Sequence, residues 1–114
     1  MNDCIFCKII GGEIPSTKVY EDEYACAFKD LNPQAPVHVL IVPKHHVKNM
    51  TEASALSDKE AAGFLCAIQN TARALGLDEG GYRVIMNAGE NGAQTVMHLH
   101  AHILGGAKLS EQMA

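Results

Sequence analysis

The segment near the C-terminus reads Gln94-Thr95-Val96-Met97-His98-Leu99-His100-Ala101-His102-Ile103-Leu104-Gly105-Gly106. Its three histidines alternate with apolar residues, and a β-strand sends residues i, i+2 and i+4 to one face. We therefore predict a strand that aligns three imidazoles and turns the apolar residues between them toward a core. Three surface histidines on an edge strand are the simpler explanation. The concentration of imidazoles in five residues instead favours a site for nucleophilic, acid–base or metal chemistry.

Length and composition limit the possible functions. The chain has 114 residues, which suits one domain with an adequate core, so we treat residues 1–114 as a single domain. The hydrophobic share of 47% is ordinary for a globular protein. A net charge of −4 provides no basic surface for nucleic acid, although it leaves room for a local site that binds one nucleotide.

The ends of the chain carry no evident targeting or membrane signal. Residues 1–8 lack a basic region followed by an apolar stretch, and no apolar run approaches the ~18 residues of a membrane span. We therefore expect a cytoplasmic protein without a membrane partner. Its four cysteines are then expected to be reduced thiols or metal ligands.

Strand patterns dominate the first part of the chain. Residues 18–21 and 24–28 are predicted to form a hairpin around Asp22-Glu23. The prolines of residues 32–36 predict a loop. Residues 37–42 read Val-His-Val-Leu-Ile-Val, which is typical of a central strand buried on both faces.

A helix and two strands are predicted to follow. Ser57 and Glu60 have the spacing of a capping box, and Gly76 is a suitable C-terminal stop, so we predict a helix over residues 57–75. Its apolar residues recur at helical spacing: Ala61, Phe64, Leu65, Ile68, Ala72 and Leu75. Residues 82–87 predict another strand before the histidine strand. The order of elements indicates an α+β fold with a five-stranded antiparallel sheet and one long helix, and its open sheet edges favour a dimer.

The loop before the histidines, residues 87–95, has the composition of an anion-binding site. Its small residues let backbone N–H groups approach an oxyanion, and Thr95 adds a hydroxyl. A tight hairpin turn would explain the loop alone, but beside three histidines it indicates a phosphate site. A neutral imidazole can attack phosphorus, a second histidine can protonate the leaving group, and N–H donors can stabilise the developing charge.

The run His98-Leu99-His100-Ala101-His102-Ile103-Leu104 fits the pattern His-x-His-x-His-x-x, and the chain resembles the histidine-triad (HIT) family. Nearly the whole chain is similar to the Hint branch of that family. The similar blocks are Cys4-Ile5-Phe6-Cys7-Lys8-Ile9-Ile10, Glu13-Ile14-Pro15-Ser16, Phe28-Lys29-Asp30-Leu31-Asn32-Pro33-Gln34-Ala35-Pro36-Val37-His38, Ile41-Val42-Pro43-Lys44 and Gly81-Tyr82-Arg83-Val84-Ile85-Met86-Asn87.

The resemblance implies an activity and a fold. Hint proteins are purine nucleoside phosphoramidases that hydrolyse adenosine 5′-monophosphoramidate and related AMP conjugates through a nucleotidyl-histidine intermediate. The implied substrate is therefore an AMP-type purine nucleotide, and no organic cofactor is needed. The implied fold is HIT-like, with a short N-terminal helix and a homodimer whose sheet is continuous.

The resemblance also implies the role of each site residue. His100 matches the nucleophile, His102 a phosphate-contacting histidine, and His38 a histidine that positions and polarises the other two. Asp30 matches the carboxylate that accepts the ribose hydroxyls, although an aspartate before a proline-containing loop also commonly caps a turn. The remaining implied nucleotide-binding residues are Leu31 against the purine and Asn87, Ala93, Gln94 and Thr95 around the ribose and phosphate.

A second constellation, Cys4-x-x-Cys7, lies at the start of the chain. A thioredoxin-type redox pair would instead follow a strand, whereas nearby imidazoles could complete a Cys₂His₂ tetrahedron. Hint relatives that carry this cysteine pair bind zinc there, and their Pro-Lys-x-His pattern aligns the ligand with His46 rather than His45. The resemblance therefore implies a structural zinc ion on Cys4, Cys7, His46 and His98.

The chain departs from the family pattern in two places. Ala93 stands where many relatives have glycine, and alanine is strained in a left-handed backbone. The tail, residues 108–114, lacks the tryptophan-containing ending of animal relatives, so the resemblance leaves the leaving-group preference open. The other cysteines, Cys26 and Cys66, are interpreted as packing residues on a strand and a helix.

Three alternative functions remain open from the sequence. The triad could hold a catalytic zinc ion whose bound water attacks the substrate. The chain could be a nucleotide-binding interaction module without catalysis. It could also be a dinucleoside polyphosphate hydrolase of another HIT branch, although the blocks upstream of the triad favour Hint.

Overall fold

The structure, a computed structural model, describes residues 3–113 and contains a five-stranded antiparallel sheet. Its elements are helix α1 (Ile5–Ile10), strands β1 (Lys18–Glu21), β2 (Ala25–Lys29) and β3 (Val37–Pro43), a 3₁₀ helix (Met50–Ala55), helix α2 (Asp58–Ala74), and strands β4 (Tyr82–Ile85) and β5 (Ala101–Gly105). The strand order is β1-β2-β3-β5-β4, with every neighbouring pair antiparallel. The predicted α+β class and the short N-terminal helix are confirmed.

Strand β3 lies at the centre of the sheet and is buried on both faces, as its apolar run predicts. Val39 and Ile41 pack into the core between the sheet and α2. Leu40 and Val42 pack on the opposite face with residues of α1 and β2. Because burying each such side chain stabilises the fold by ~1.5–3 kcal/mol, the strand that carries His38 is held on two sides.

Helix α2 begins at the predicted capping box. The Ser57 hydroxyl accepts from the Glu60 backbone N–H at 3.1 Å, and the Glu60 carboxylate accepts from the Ser57 N–H at 2.8 Å. The buried face comprises Phe64, Ala67, Ile68, Thr71 and Ala72. No helix within residues 3–113 is long and apolar enough to cross a bilayer.

Three predicted core positions on this helix are wrong. Ala61 and Leu65 are exposed, Leu65 to 68%, and so is Cys66, whereas Cys26 is buried as predicted. Leu65 lies about 100° around the helix axis from Phe64, which places it beside the buried stripe rather than in it.

The prediction that all three triad histidines lie on one strand is also wrong, because β5 begins only at Ala101. The alternation of faces nevertheless extends back to Leu99, which is buried in the core between sheet and helix. Its backbone N–H donates to the Val47 carbonyl at 2.7 Å. Contacts with the segment after β3 therefore position His98 and His100, rather than the hydrogen bonds of a regular strand pair.

Candidate functional site

The ring orientation of His100, the central histidine of the triad, is fixed by the backbone of the histidine two residues earlier. His100 Nδ1 lies 2.7 Å from the carbonyl oxygen of His98. A carbonyl only accepts, so Nδ1 must carry the proton, and the neutral ring then has its lone pair on Nε2. His100 is buried and its ring lies 5.2 Å from that of His102. The geometry therefore presents an unprotonated imidazole nitrogen, which is the nucleophilic form.

A second imidazole pair has its protons fixed in the same way. The backbone N–H of Gln34 donates to His38 Nδ1 at 2.9 Å, so the proton of a neutral His38 lies on Nε2. That atom lies 2.9 Å from His102 Nδ1, which must accept, and His102 is left with an Nε2–H donor. Burial lowers the pKa of His102 to about 4, so at neutral pH it is an uncharged donor.

Asp30 lies next to this pair. Its Oδ2 is 3.4 Å from His38 Nε2, and its Oδ1 accepts from the Asn32 backbone N–H at 2.7 Å. The carboxylate therefore caps the turn that follows β2 and also faces the histidines. Asp30, His38 and His102 offer ligand atoms within 4.8 Å of one another. A metal on His38 Nε2 would move the proton to Nδ1, where it would oppose the Gln34 N–H, so this cluster favours proton positioning over metal binding.

The first triad histidine turns toward the N-terminal cysteines. His98 is fully buried and its Nε2 lies 2.8 Å from the Pro43 carbonyl, so Nε2 carries the proton. Its Nδ1 lies 3.3 Å from Cys4 Sγ, 3.5 Å from Cys7 Sγ and 3.0 Å from His46 Nδ1. Burial lowers the pKa of His98 to about 4. The ring is therefore neutral, with its lone pair directed at the other three side chains.

These four side chains fit a tetrahedral zinc ion. Cys7 Sγ also lies 3.3 Å from His46 Nδ1, and all four ligand atoms lie within 4.8 Å of one another. Zinc bonds of ~2.0–2.3 Å place tetrahedral donors roughly 3.3–3.8 Å apart. Two thiols and two imidazoles are the donor set of structural zinc sites. Such an ion would tie α1 to the segment after β3 and to the triad.

The predicted phosphate loop is bent back on itself before the triad. Ala93 has φ of +61°, and it is the only residue other than glycine with positive φ among residues 3–113. Its N–H donates to the Glu90 carbonyl at 3.0 Å, and the Asn87 side chain donates to the Gly92 carbonyl at 2.7 Å. The left-handed backbone anticipated at position 93 is therefore present, with alanine in it.

Gln94 contributes differently from the expectation of a ligand contact. Its buried amide group makes four hydrogen bonds within the protein, and its backbone N–H donates to the Gly89 carbonyl at 3.1 Å, so neither its amide nor its backbone N–H is left to donate to a ligand. Thr95 is exposed. Its N–H and that of Val96 donate to no acceptor in residues 3–113, which leaves two donors and a hydroxyl at the end of the loop.

Aromatic rings pack against His100, and they were not identified from the sequence as part of the site. Phe6 of α1 packs edge-on against His100, with ring centroids 5.1 Å apart, and against Phe28 at 5.5 Å. Leu31 is 99% exposed and Ile5 is 45% exposed. The position of Phe6 between Cys4 and Cys7 was the available signal, because any ion on those thiols fixes the residue between them.

Comparisons with known proteins agree with this geometry. A family model for the HIT domain matches residues 11–109. The chain is 40% identical to the purine nucleoside phosphoramidase of Escherichia coli, covering 98% of this chain and 94% of that protein. It is 47% identical to a 14 kDa zinc-binding protein of Zea mays, covering 93% and 84%. A solved HIT family hydrolase from Clostridium thermocellum matches with a TM-score of 0.89 at 45% identity, covering 100% and 99%.

Proposed function

Because this chain belongs to the HIT domain family, we propose that it is a purine nucleoside phosphoramidase. It hydrolyses AMP-linked phosphoramidates, such as adenosine 5′-monophosphoramidate, through a nucleotidyl intermediate on His100. The observation that carries the proposal is the hydrogen bond from His100 Nδ1 to the His98 carbonyl, because it leaves the lone pair of the neutral ring on Nε2. Thr95 and Val96, whose N–H groups have no acceptor within residues 3–113, lie five and four residues earlier in the chain. The similar phosphoramidase of Escherichia coli supports the substrate class.

The mechanism begins with attack of His100 Nε2 on the α-phosphorus. The P–N bond breaks, and the amine departs after its nitrogen takes a proton from solvent. The nucleotidylated ring retains its Nδ1 proton and becomes cationic, and the His98 carbonyl 2.7 Å away stabilises that charge. Water then attacks phosphorus, AMP is released with a proton, and His100 returns to its neutral form.

The neighbouring groups stabilise the charge on phosphorus. His102 donates its Nε2–H to a phosphoryl oxygen, in the tautomer that His38 imposes across 2.9 Å. The N–H groups and hydroxyl at Thr95 and Val96 donate to the other oxygens, as preorganised donors do in oxyanion sites. Ala93 and Gln94 shape this loop, and Asn87 at its start donates to the Gly92 carbonyl at 2.7 Å.

The rest of the nucleotide has chemically suitable neighbours. Asp30 would accept the ribose hydroxyls through its half-buried carboxylate. Leu31 and Ile5, both exposed, would cover the purine. Exposed apolar side chains together with one carboxylate suit a nucleoside better than they suit a free phosphate.

The metal and the dimer are part of the proposal. Cys4, Cys7, His46 and His98 would hold zinc, whose contribution is structural because four protein ligands leave no open position. Strand β4 is an edge of the sheet, and Val84 at its centre is 41% exposed, so we propose that two copies pair along β4. Sedimentation velocity tests the pairing, and a monomer at micromolar concentration would contradict it.

The decisive experiment traps the intermediate. Wild-type protein is mixed with adenosine 5′-monophosphoramidate, quenched in base, and analysed by peptide mass spectrometry for AMP on His100. His100→Ala should lose the adduct and lower kcat by about a thousandfold or more, since a covalent nucleophile is removed. His45→Ala is the matched control, because that exposed histidine contacts only Glu60 among residues 3–113. Near-full activity of His100→Ala would refute the assignment, and AMP binding without turnover in wild type would indicate a nucleotide-binding module.

A further inference from the structure

The buried side chain of Asn49 connects the segment after β3 to the phosphate loop. Its Nδ2 donates to Gln94 Oε1 at 3.0 Å, across 45 residues of sequence. Its Oδ1 accepts from the Thr51 backbone N–H at 2.9 Å and so caps the 3₁₀ helix. One amide therefore performs two separable tasks, a local cap and a long-range contact.

The amide of Gln94 is saturated by this network. Its Nε2 donates to the carbonyls of Lys48 and Val96 at 2.8 and 2.9 Å. Its Oε1 accepts from Asn49 Nδ2 and from the Gly89 backbone N–H at 2.9 Å. A flipped amide would set donors against donors and oxygen against two carbonyls, so only one orientation is satisfied.

Gln94 in turn fixes the geometry of the ligand-binding end of the loop. Its side chain connects Gly89 near the loop's start to Val96 near its end. The N–H groups of Thr95 and Val96 lie directly after it in the chain. Displacing the Gln94 amide would therefore move the donors that the proposed mechanism aims at the phosphate.

We propose that Asn49 is a positioning residue for the phosphate loop, acting through Gln94 and touching no part of the substrate. The inference rests on the proposed function, because it assumes that a nucleotide phosphate binds at Thr95 and Val96. It assigns Asn49 an effect on phosphate recognition and none on recognition of the nucleoside, since Asp30 bonds only to Asn32 and His38 among residues 3–113 and so lies outside this network.

The two tasks of Asn49 can be separated by substitution. Asn49→Ser retains a hydroxyl of the kind that caps helices and removes the amide donor to Gln94. Asn49→Asp retains the capping oxygen and places a carboxylate oxygen against Gln94 Oε1. Glu52→Gln is the matched control, because Glu52 lies in the same 3₁₀ helix, is exposed, and contacts the Lys48 N–H rather than Gln94.

The test compares binding of AMP with binding of adenosine by isothermal titration calorimetry, alongside kcat and KM for adenosine 5′-monophosphoramidate. We expect Asn49→Ser to weaken AMP about 5- to 10-fold, as loss of one buried hydrogen bond does. Asn49→Asp should weaken AMP more. Adenosine affinity should stay within about twofold in both variants, and Glu52→Gln should match wild type. Thermal melts show whether each variant is folded. If Asn49→Asp does not fold, the comparison is made with Asn49→Ser alone.

Two results would overturn the inference. AMP affinity could be unchanged in Asn49→Ser, or AMP and adenosine could weaken by the same factor, which would indicate a general structural role. Either result leaves the proposed function intact if wild type still binds and hydrolyses its substrate. Failure of wild type to bind AMP would instead refute the proposed function, and this inference with it.

Discussion

Replacing Ala93 by glycine should stabilise this protein, although it deletes a methyl group. Ala93 has φ of +61°, and the left-handed conformation costs a residue with a Cβ roughly 1–2 kcal/mol. Glycine avoids that cost but gives the unfolded chain more freedom, which subtracts about 0.4–1 kcal/mol. Ala93 is exposed, so little burial is lost. The net expectation is a gain of about 0.5–1 kcal/mol in the free energy of unfolding.

The same loop provides a reverse control. Gly89 has φ of +75°, and a Cβ built on it would meet no atom within 4 Å, so Gly89→Ala introduces backbone strain without a clash. It should destabilise the fold by about 1 kcal/mol. Gly92 would not serve, because its φ is not positive and its Cβ would lie 2.7 Å from the Ala88 carbonyl oxygen, so a substitution there would test a collision rather than backbone strain.

Thermal unfolding and urea unfolding, each followed by circular dichroism at one fixed zinc concentration, measure both effects. For a chain of this length, 1 kcal/mol corresponds to roughly 4 °C in Tm. Ala93→Gly should therefore raise Tm by about 2–4 °C, and Gly89→Ala should lower it by about 4 °C. A lower midpoint for Ala93→Gly at unchanged m-value would refute the reasoning, since it would mean that the methyl group stabilises the loop.

Two further predictions concern the buried imidazoles and the cysteine cluster. Burial lowers the pKa of His102 from 6.5 to about 4, so between pH 4 and 6.5 the unfolded chain binds more protons than the folded chain. The contribution of His102 to the free energy of unfolding is therefore fully present above about pH 6.5. It declines by up to about 3 kcal/mol as the pH falls toward 4. Urea midpoints at pH 7, 5.5 and 4.5 check this, and His102→Gln should flatten the slope, whereas an unchanged slope would contradict it. Stoichiometric zinc should raise the Tm of the metal-free protein. Cys4→Ser should abolish this increase, whereas Cys66→Ser, at an exposed position, should retain it. An equal increase in both variants would place the metal elsewhere.

Local patterns were sufficient for the fold because each predicted element depends on neighbours in sequence. The capping box at Ser57 and the apolar run of β3 are contained within a few residues, and both are confirmed. The assignment of Leu65 to the buried face was wrong because helical spacing alone defines a wide apolar face, and the sheet covers only part of that face. The early end of the histidine ladder depends on the Val47 carbonyl, which no local pattern reveals.

The sequence indicated the residues of the candidate site but not the contacts between them. Alternation and family resemblance indicated the histidines, and the structure brings His38 and His102 to 2.9 Å. Gln94 was expected at the ligand, yet its side chain turns inward. Asn49 gave no signal, because its partner Gln94 is 45 residues away and a lone asparagine after a strand is ordinary in a loop.

The three triad histidines differ in which ring nitrogen carries the proton, because each ring bonds to a different group. The Pro43 carbonyl accepts a hydrogen bond from Nε2–H of His98, which leaves the Nδ1 lone pair of His98 directed at the thiols. The His98 carbonyl accepts from Nδ1–H of His100, which leaves the lone pair of His100 on Nε2. His102 accepts from His38 and is left as a donor. Sequence periodicity places the imidazoles side by side, but backbone carbonyls and the buried imidazole of His38 decide which nitrogen of each ring carries the proton. Giving one of these histidines the hydrogen-bond partners of another would therefore change which of its nitrogens is protonated, and so its chemistry, without changing the sequence motif.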